Sequence, residues 1–440
     1  MRPRDRELLL LLLAAVLAVV SYVAVYSGVF REISRWSLVY AGIFVVIFAL
    51  LHLLMRFRLA EADPYLLPVA ALLTAIGLAE IYRISPSLAL LQGRWLVAGA
   101  VVFVLTVLLI RDPVKLDRYR YIIGALGLLL LAVTIVFGTE INGAKLWIRF
   151  AGFGFQPAEF AKICIVIFLA GYLNDKKELL SVPTGRLFGM PVPRVRYFGP
   201  LLVMWALSIL LLILLRDFGA SLLLLTIFIA LIYMATSRLV YALVGMTLFG
   251  IGAFLAYELV PHVQDRFAIW LDPWATADTT GYQLLQSLFT MADGGVLGQG
   301  LGRGYLLFPD GRPVVPDLQT DFIFSAVANE LGMLGAIGMI LCYLLFCWRG
   351  FHIAIWAPDG FSKLLAAGLS AAFALQTFII IGGVTRLIPL TGITLPFVSY
   401  GGSSLLANLM LLALLLMVSH RSNVVLRGTA AERFRLAEGG

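Results

Sequence analysis

PHVQDRFAIWLDPWATADTTGYQLLQS, residues 261–287, opens the one long polar interruption in an otherwise apolar chain of 440 residues, and the interruption runs on to Thr320. No other segment of that length is too polar to lie in lipid. It carries Asp265, Asp272, Asp278, Asp293, Asp310 and Asp317. Chemistry is therefore expected in this loop, and the rest of the chain reads as membrane helices that hold it at the bilayer surface.

Hydrophobic residues make up 61% of the chain and charged residues 13%, with a mean hydropathy of +0.97. That is more apolar surface than a soluble domain buries, so the fold class is an all-α polytopic membrane protein. The run from Leu8 to Tyr26 is too long for a signal-peptide core and is kept as a mature helix. Spans are expected near 8–28, 37–55, 64–82, 94–110, 120–138, 157–173, 198–215, 218–234, 239–259, 322–347, 361–384 and 403–419, about twelve helices in all. With the N-terminal MRPRDR placed in the cytoplasm, alternate loops carry Arg56 and Arg58, the cluster from Arg111 to Arg120, Lys176 to Arg196, Arg238, Arg349 and the tail from Arg421. Roughly two thirds of the 33 Lys and Arg then fall on that side, as the positive-inside rule requires. Both termini are expected to be cytoplasmic, and the loop at 260–320 faces outward. The net charge of +8 is dispersed along short loops, which suits helix orientation and anionic membrane lipids rather than nucleic acid.

The other loops on the outward side are rich in turn formers: INGAKLWIRFAGFGFQPAE at 141–159, RDFG at 216–219 and TRLIPLTGITLPFVSYGGSS at 385–404. Irregular backbone at membrane depth persists only where protein or a water-filled cavity satisfies its polar groups. An outward-opening cavity roofed by the 260–320 loop accounts for all three.

The chain has no GxxxxGK[ST], HExxH or CxxC. Its histidines (His52, His262, His352, His420) have no ligand spacing, and Cys164, Cys342 and Cys347 all lie within spans, which argues against nucleotide hydrolysis and a histidine-rich metal centre. A bond-forming reaction in an outward cavity needs a substrate that arrives already activated, such as an isoprenoid-linked pyrophosphate. Asp278 in ADTTG is the expected general base, with Asp272 in LDP in reserve. Both stand among turn formers, and both also fit as solvated turn or cap residues. Charges inside spans cost about 2.5–3.5 kcal/mol each, which singles out Glu159, Lys162, Asp217, Asp321, Glu330 and Glu80. Glu159 and Lys162 share a helix face and can pair. Lys162, Arg216 and Arg386 suit a pyrophosphate clamp. Trp147 reads as an interfacial anchor or as a platform for a sugar. SYGGSS, with Ser399, Tyr400 and Ser403, reads as an anion nest or as a close-packed, serine-capped helix start.

These words taken together, WIRFAGFGFQPAEFAK, RDFGAS, GYQLLQSLFTMADGGVLGQGLG, QTDFIFSAVANELG and PLTGITLPFVSYGGSS, resemble the SEDS family (shape, elongation, division and sporulation proteins), the peptidoglycan polymerases of the RodA and FtsW type. Thr391 in PLTG looks like the RodA branch. The resemblance implies a core of ten helices at 61–422, two additional N-terminal helices at 1–60 and a cytoplasmic tail at 423–440. It implies an inverting glycosyltransferase that polymerises lipid II beside a class B penicillin-binding protein, in elongation of the bacterial wall. It also brings Gln286 and Ser287 of GYQLLQS into the substrate-binding set, with Lys162, Arg216 or a divalent cation (Mg2+ or Mn2+) offsetting the leaving pyrophosphate. The sequence departs from the family in three places. Thr276 stands where the family has its catalytic aspartate, Gln319 where it has a histidine, and Arg216 where it has a proline. A lipid II flippase and a non-catalytic scaffold for the crosslinking partner are the rival readings.

Overall fold

A computed structural model describes residues 3–30, 35–141, 144–150, 153–181, 185–187, 190–192 and 195–438. The side chains of His262 and of the tail from 429 onward lie outside the described residues. In chain order the elements are α1 (Pro3–Phe30), α2 (Arg35–Arg58), α3 (Leu66–Ile84), α4 (Pro86–Leu109), the short α5 (Lys115–Arg118) and α6 (Arg120–Phe137). Strands β1 (Thr139–Ile141), β2 (Ala144–Phe150) and β3 (Phe153–Phe155) lead to α7 (Pro157–Ser181), followed by β4 (Gly185–Leu187) and β5 (Met190–Val192). Then come α8 (Val195–Leu214), α9 (Phe218–Thr236), α10 (Leu239–Leu259), α11 (Pro261–Leu271), α12 (Tyr282–Gly294), α13 (Ile323–Trp356), α14 (Gly360–Val384) and α15 (Gly402–Glu438).

Among the described residues, 11 helices are long and apolar enough to cross a membrane, and the apolar part of α8, Gly199–Leu214, is shorter. The chain is thus an all-α multi-pass membrane protein. From Gly402 to Ser422 helix α15 is almost wholly buried, and it packs on α4, α7, α13 and α14. Helices α1 and α2 pack on α3 and α4 at the side of this bundle.

Three local expectations are corrected. Helix α4 starts at Pro86 rather than near 94 because proline suits a first helical position and the polar Gln92 is satisfied inside the bundle. Its amide donates to the Ser399 carbonyl (3.3 Å) and its oxygen accepts from the Gly401 N–H (3.2 Å). The stretch read as an irregular loop at 141–159 contains the antiparallel sheet β1–β2–β3, with Glu140 opposite Lys145 and Arg149 opposite Gly154. AKLWIRF alternates polar and apolar residues as a strand requires, a signal hidden by the surrounding glycines. The 260–320 loop is also partly helical, holding α11, a 3-10 turn at Pro273–Thr276 and α12.

Antiparallel α3 and α13 are clamped at both ends by ion pairs. At one end Arg83 Nε donates to Glu330 Oε1 (3.2 Å), and at the other Arg349 Nε donates to Asp63 Oδ2 (2.7 Å). The Arg349 end carries most of the charge lattice: Arg120 with Asp117, Arg421 with Asp359, and Arg427 with Glu61. There α1 is tied in by Arg4, which bonds Glu7 and the Asp63 carbonyl, while Glu7 Oε1 meets His52 Nδ1 of α2 at 2.7 Å. Arg4, Arg120, Arg349, Arg421 and Arg427, all assigned to one side from sequence, therefore gather at one end of the bundle.

At the opposite end α13 is broken. Gly332 has φ 68°, which divides Ile323–Leu331 from the long helix that begins at Met333. The groups freed by the break bond to the glycine-rich segment after α12. Gln299 N–H donates to Asn329 O (3.0 Å), Gly300 N–H to Glu330 O (2.9 Å) and Met333 N–H to Gly295 O (2.9 Å). A Cβ on Gly332 would collide with the Gly298 backbone, and left-handed strain adds about 1–3 kcal/mol. Gly332→Ala is therefore expected to lower the thermal unfolding midpoint of the purified protein markedly, whereas Gly338→Ala, where a Cβ meets nothing within 4 Å, leaves it unchanged.

Candidate active-site cavity

A cavity of about 1020 Å³ opens at the end of the bundle opposite the main charge lattice. Its walls come from the start of α7, the α8–α9 turn, α11, the turn into α12, the segment before α13, and the irregular stretch between α14 and α15. Of the residues singled out in the sequence, Trp147, Glu159, Lys162, Arg216, Asp217, Asp265, Asp317, Asp321 and Tyr400 line it.

Lys162 is 4% exposed, so its charge depends on protein partners. Its Nζ donates to Glu159 Oε2 (2.8 Å) and to Gln376 Oε1 (2.6 Å), and the Gln376 amide donates in turn to the Thr394 carbonyl (2.9 Å). The expected Glu159–Lys162 pair exists, and it also ties α7 to α14 and to the irregular stretch. Arg266, which sequence reasoning missed, is the second cavity cation. Its Nη1 donates to the carbonyls of Leu390 (3.1 Å) and Thr391 (2.9 Å), which holds PLTG against α11. The side chains of Arg266 and Asp321 converge beside Gly392. Pro261, Asp265 and Ile269 line the cavity together with Arg266 and Trp270, an i, i+4 spacing on one face of α11 that would have found Arg266.

Two carboxyls are strongly perturbed. Burial pushes Asp321 up to about 7, with the nearby Asp317 charge raising it further and Arg266 opposing. Burial pushes Asp217 up to about 6 against the Ala220 N–H that its Oδ1 accepts (2.9 Å) at the start of α9. Asp217 Oδ2 is buried without a hydrogen-bond partner among the described residues. A cavity holding Lys162, Arg216 and Arg266 beside carboxyls with raised affinity for protons suits both an anionic leaving group and proton abstraction.

The remaining expected site residues lie elsewhere. Asp278 is exposed and does not line the cavity, although Thr279 and Thr280 immediately after it do, so it sits on the rim. Asp272 caps the 3-10 turn, accepting from the Trp274 N–H (3.1 Å). Arg386 is a structural staple rather than a clamp. It adopts φ 61°, its Nε donates to the Trp270 carbonyl (2.8 Å), and its own carbonyl accepts from Trp270 Nε1 (3.1 Å). Glu330 is buried in the Arg83 clamp and also accepts from the Gly302 N–H (2.8 Å). Ser287 bonds Ser325 across α12 and α13 (2.7 Å), and Gln286 lies outside the cavity lining.

The structure resolves SYGGSS toward close packing. Ser399 Oγ donates to the Thr320 carbonyl (2.5 Å), Ser403 Oγ accepts from the Gln156 N–H (2.7 Å), and Gly402 lies against the Trp95 ring. Only Tyr400 of this word reaches the cavity. Among the described residues Thr276 Oγ1 is buried without a hydrogen-bond partner, as is Gln319 Oε1. No group of three or more His, Cys, Asp or Glu that would hold a metal ion exists among the described residues. A magnesium-type ion would have to share one or two carboxylates with substrate phosphates.

Comparison with known proteins agrees with this architecture. The family model described as a cell cycle protein of the FtsW, RodA and SpoVE type matches residues 65–424, leaving α1 and α2 outside. Peptidoglycan glycosyltransferase RodA of Mycobacterium tuberculosis (strain ATCC 25618 / H37Rv) is 44% identical over 439 residues, covering 96% of this chain and 92% of the relative. A solved structure described as "Structural coordination of polymerization and crosslinking by a peptidoglycan synthase complex" superposes with a TM-score of 0.66 at 28% identity, covering 82% of this chain and 98% of its own. The crystal structure of Thermus thermophilus rod shape determining protein RodA gives a TM-score of 0.59 at 26% identity, with 82% and 97% covered. With a matching family model over most of its length and a relative 44% identical across nearly all of it, the chain belongs to the FtsW/RodA/SpoVE family.

Proposed function

We propose that this chain is a peptidoglycan glycosyltransferase that polymerises lipid II on the outer face of the bacterial cytoplasmic membrane, in wall elongation. The observation that carries this reading is the cavity itself. Buried Lys162 and half-buried Arg266 line it, with Arg216, together with the carboxyls of Asp321 and Asp217, at the bundle end away from most of the basic residues. By the positive-inside rule that end is extracytoplasmic, and both termini are cytoplasmic. The name of the mycobacterial relative supports the same activity.

In this reading a cavity carboxylate takes the proton from the 4-hydroxyl of the acceptor sugar. The resulting oxygen attacks the anomeric carbon of the donor, a single displacement that inverts the centre. The bond from that carbon to the pyrophosphate oxygen breaks, and undecaprenyl pyrophosphate leaves against Lys162, Arg266 and Arg216. Preorganised donors of this kind stabilise developing charge without reorganisation. Asp321 is the carboxylate best placed within the cavity, while Asp278 would act from the rim and Asp272 is committed to its cap. A divalent cation would add positive charge at the pyrophosphate, and chelation of the purified enzyme tests for it. A class B penicillin-binding protein is the expected partner, in keeping with the synthase complex that the chain resembles.

Purified protein, alone and with its penicillin-binding partner, is expected to convert labelled lipid II into glycan. Asp321→Asn is expected to abolish product with folding retained. Loss in Asp278→Ala alone would move the base to the rim, and activity in all three variants Asp321→Asn, Asp278→Ala and Asp272→Ala would refute the carboxylate mechanism. No glycan from any preparation, with lipid II transport in liposomes, would favour the flippase.

Lys162→Met and Arg266→Gln are each expected to lower kcat by about 10²-fold or more, the cost of removing one preorganised donor, as read in single-turnover assays. The base works deprotonated and its pKa is raised to about 7. The wild-type rate should therefore fall as pH drops through about 7, and any residual rate of Asp321→Asn should lack that limb.

A further inference from the structure

The segment that follows α12 carries an exposed apolar surface that the cavity does not use. Leu297 is 79% exposed, Val296 55% and Phe289 45%, and Phe289 meets Trp274, itself 60% exposed, in a tilted ring contact with centroids 5.8 Å apart. This surface is continuous with the first lipid-facing residues of α13 beyond the break, Met333 and Leu334, because Leu334 N–H donates to Val296 O (3.2 Å).

Depth follows from helix geometry. Arg349 marks the boundary at the charged end, where it pairs with Asp63. The sixteen residue steps from Met333 to Arg349, at about 1.5 Å each, cover roughly 24 Å. The hydrocarbon core of a bilayer is about 30 Å thick. Met333 therefore lies about 6 Å beneath the cavity-side boundary, and any tilt of α13 places it deeper. Residues 295–300, hydrogen-bonded to the break, share that depth.

A second observation, independent of exposure, agrees. Backbone in hydrocarbon must find its partners within the protein. The carbonyls of Gly294, Gly295 and Val296 and the N–H groups of Gly298, Gln299 and Gly300 all pair with other backbone groups. These bonds run to the end of α12 and to the break in α13, and they fix residues 294–300 at the depth of Gly332.

We infer that Phe289–Gly300 is a re-entrant wedge seated in the cavity-side leaflet, with phospholipid acyl chains packed on Phe289, Val296 and Leu297. The polar interruption of the sequence is thus not wholly outside the membrane. The other end of the same helix, at Tyr282, Gln283 and Leu284, lines the cavity, so one rigid helix connects the leaflet to the site wall.

The test is spin-label depth measurement on the full chain in phospholipid bilayers without polyprenyl substrate or partner protein. In a background with Cys164, Cys342 and Cys347 replaced by alanine, labels are placed at Leu297→Cys, at Leu341→Cys on the lipid face of α13, and at Asp310→Cys in the aqueous part of the loop. The label at 297 is expected to collide with oxygen and to lose collisions with a water-soluble nickel chelate, as the label at 341 does. Nickel collisions at 297 equal to those at 310 would overturn the wedge. Shielding from both relaxants would also overturn it, by showing protein rather than lipid on this surface. Val296→Cys reads the same surface if Leu297→Cys does not fold.

Discussion

A backbone group left without a partner in a low-dielectric surrounding costs several kcal/mol, and the cavity end of this molecule is arranged around that constraint. The helix break at Gly332 frees carbonyls and N–H groups, and the glycines after α12 receive them. The stretch between α14 and α15 is irregular as well, and side chains from the surrounding helices satisfy it. Gln92 serves Ser399 and Gly401, Tyr343 donates to the Pro396 carbonyl (2.6 Å), and Arg266 and Gln376 serve Leu390, Thr391 and Thr394. Two of these anchors, Arg266 and Gln376, also line the cavity. The groups that hold the walls open are therefore partly the groups a substrate would meet.

Charge in the cavity obeys the same economy of partners. Lys162 is held by one carboxylate and one amide oxygen rather than by two carboxylates, which leaves the cluster neutral rather than net negative toward the cavity. Arg266 spends one nitrogen on carbonyls and presents the other beside Asp321. Asp321 and Asp217 are held by few donors, which is why burial dominates their titration. A better-solvated or better-paired carboxylate would remain ionised but would be a weaker proton acceptor near neutral pH.

The helices were legible because hydropathy reports them directly, and the cavity because irregular words fell on one side of the membrane. Glu159, Lys162, Asp217 and Asp321 were legible for the same reason, since charge within or beside a span needs a purpose. Arg386 was misread as a clamp because its backbone conformation and its exchange of hydrogen bonds with Trp270 leave no trace in composition. Asp278 was placed in the site because a turn of known content has no known direction. The direction is set by the 3-10 turn that Asp272 caps, and that turn leaves Asp278 on the rim. Gln376 was missed as one polar residue inside a long apolar helix, visible only once Lys162 is found opposite it.

The two-ended clamp on α3 and α13 also bears on how the molecule comes apart. Stability is distributed unevenly within a fold, and segments with few buried contacts open at lower free energy than the whole. Helix α15 is enclosed on nearly every side, and α3 with α13 is fastened by an ion pair at each end. By contrast no residue of α10 is buried; it packs mainly on α9 and α11, with one hydrogen bond from Tyr241 to the Leu180 carbonyl of α7 (2.6 Å). In lipid the backbone hydrogen bonds of α10 stay closed, so α10 is expected to shift as a rigid unit while the buried part of α15 is held fast. Because α10 runs through Val260 into α11, such shifts reach the wall that carries Arg266 before they disturb the core.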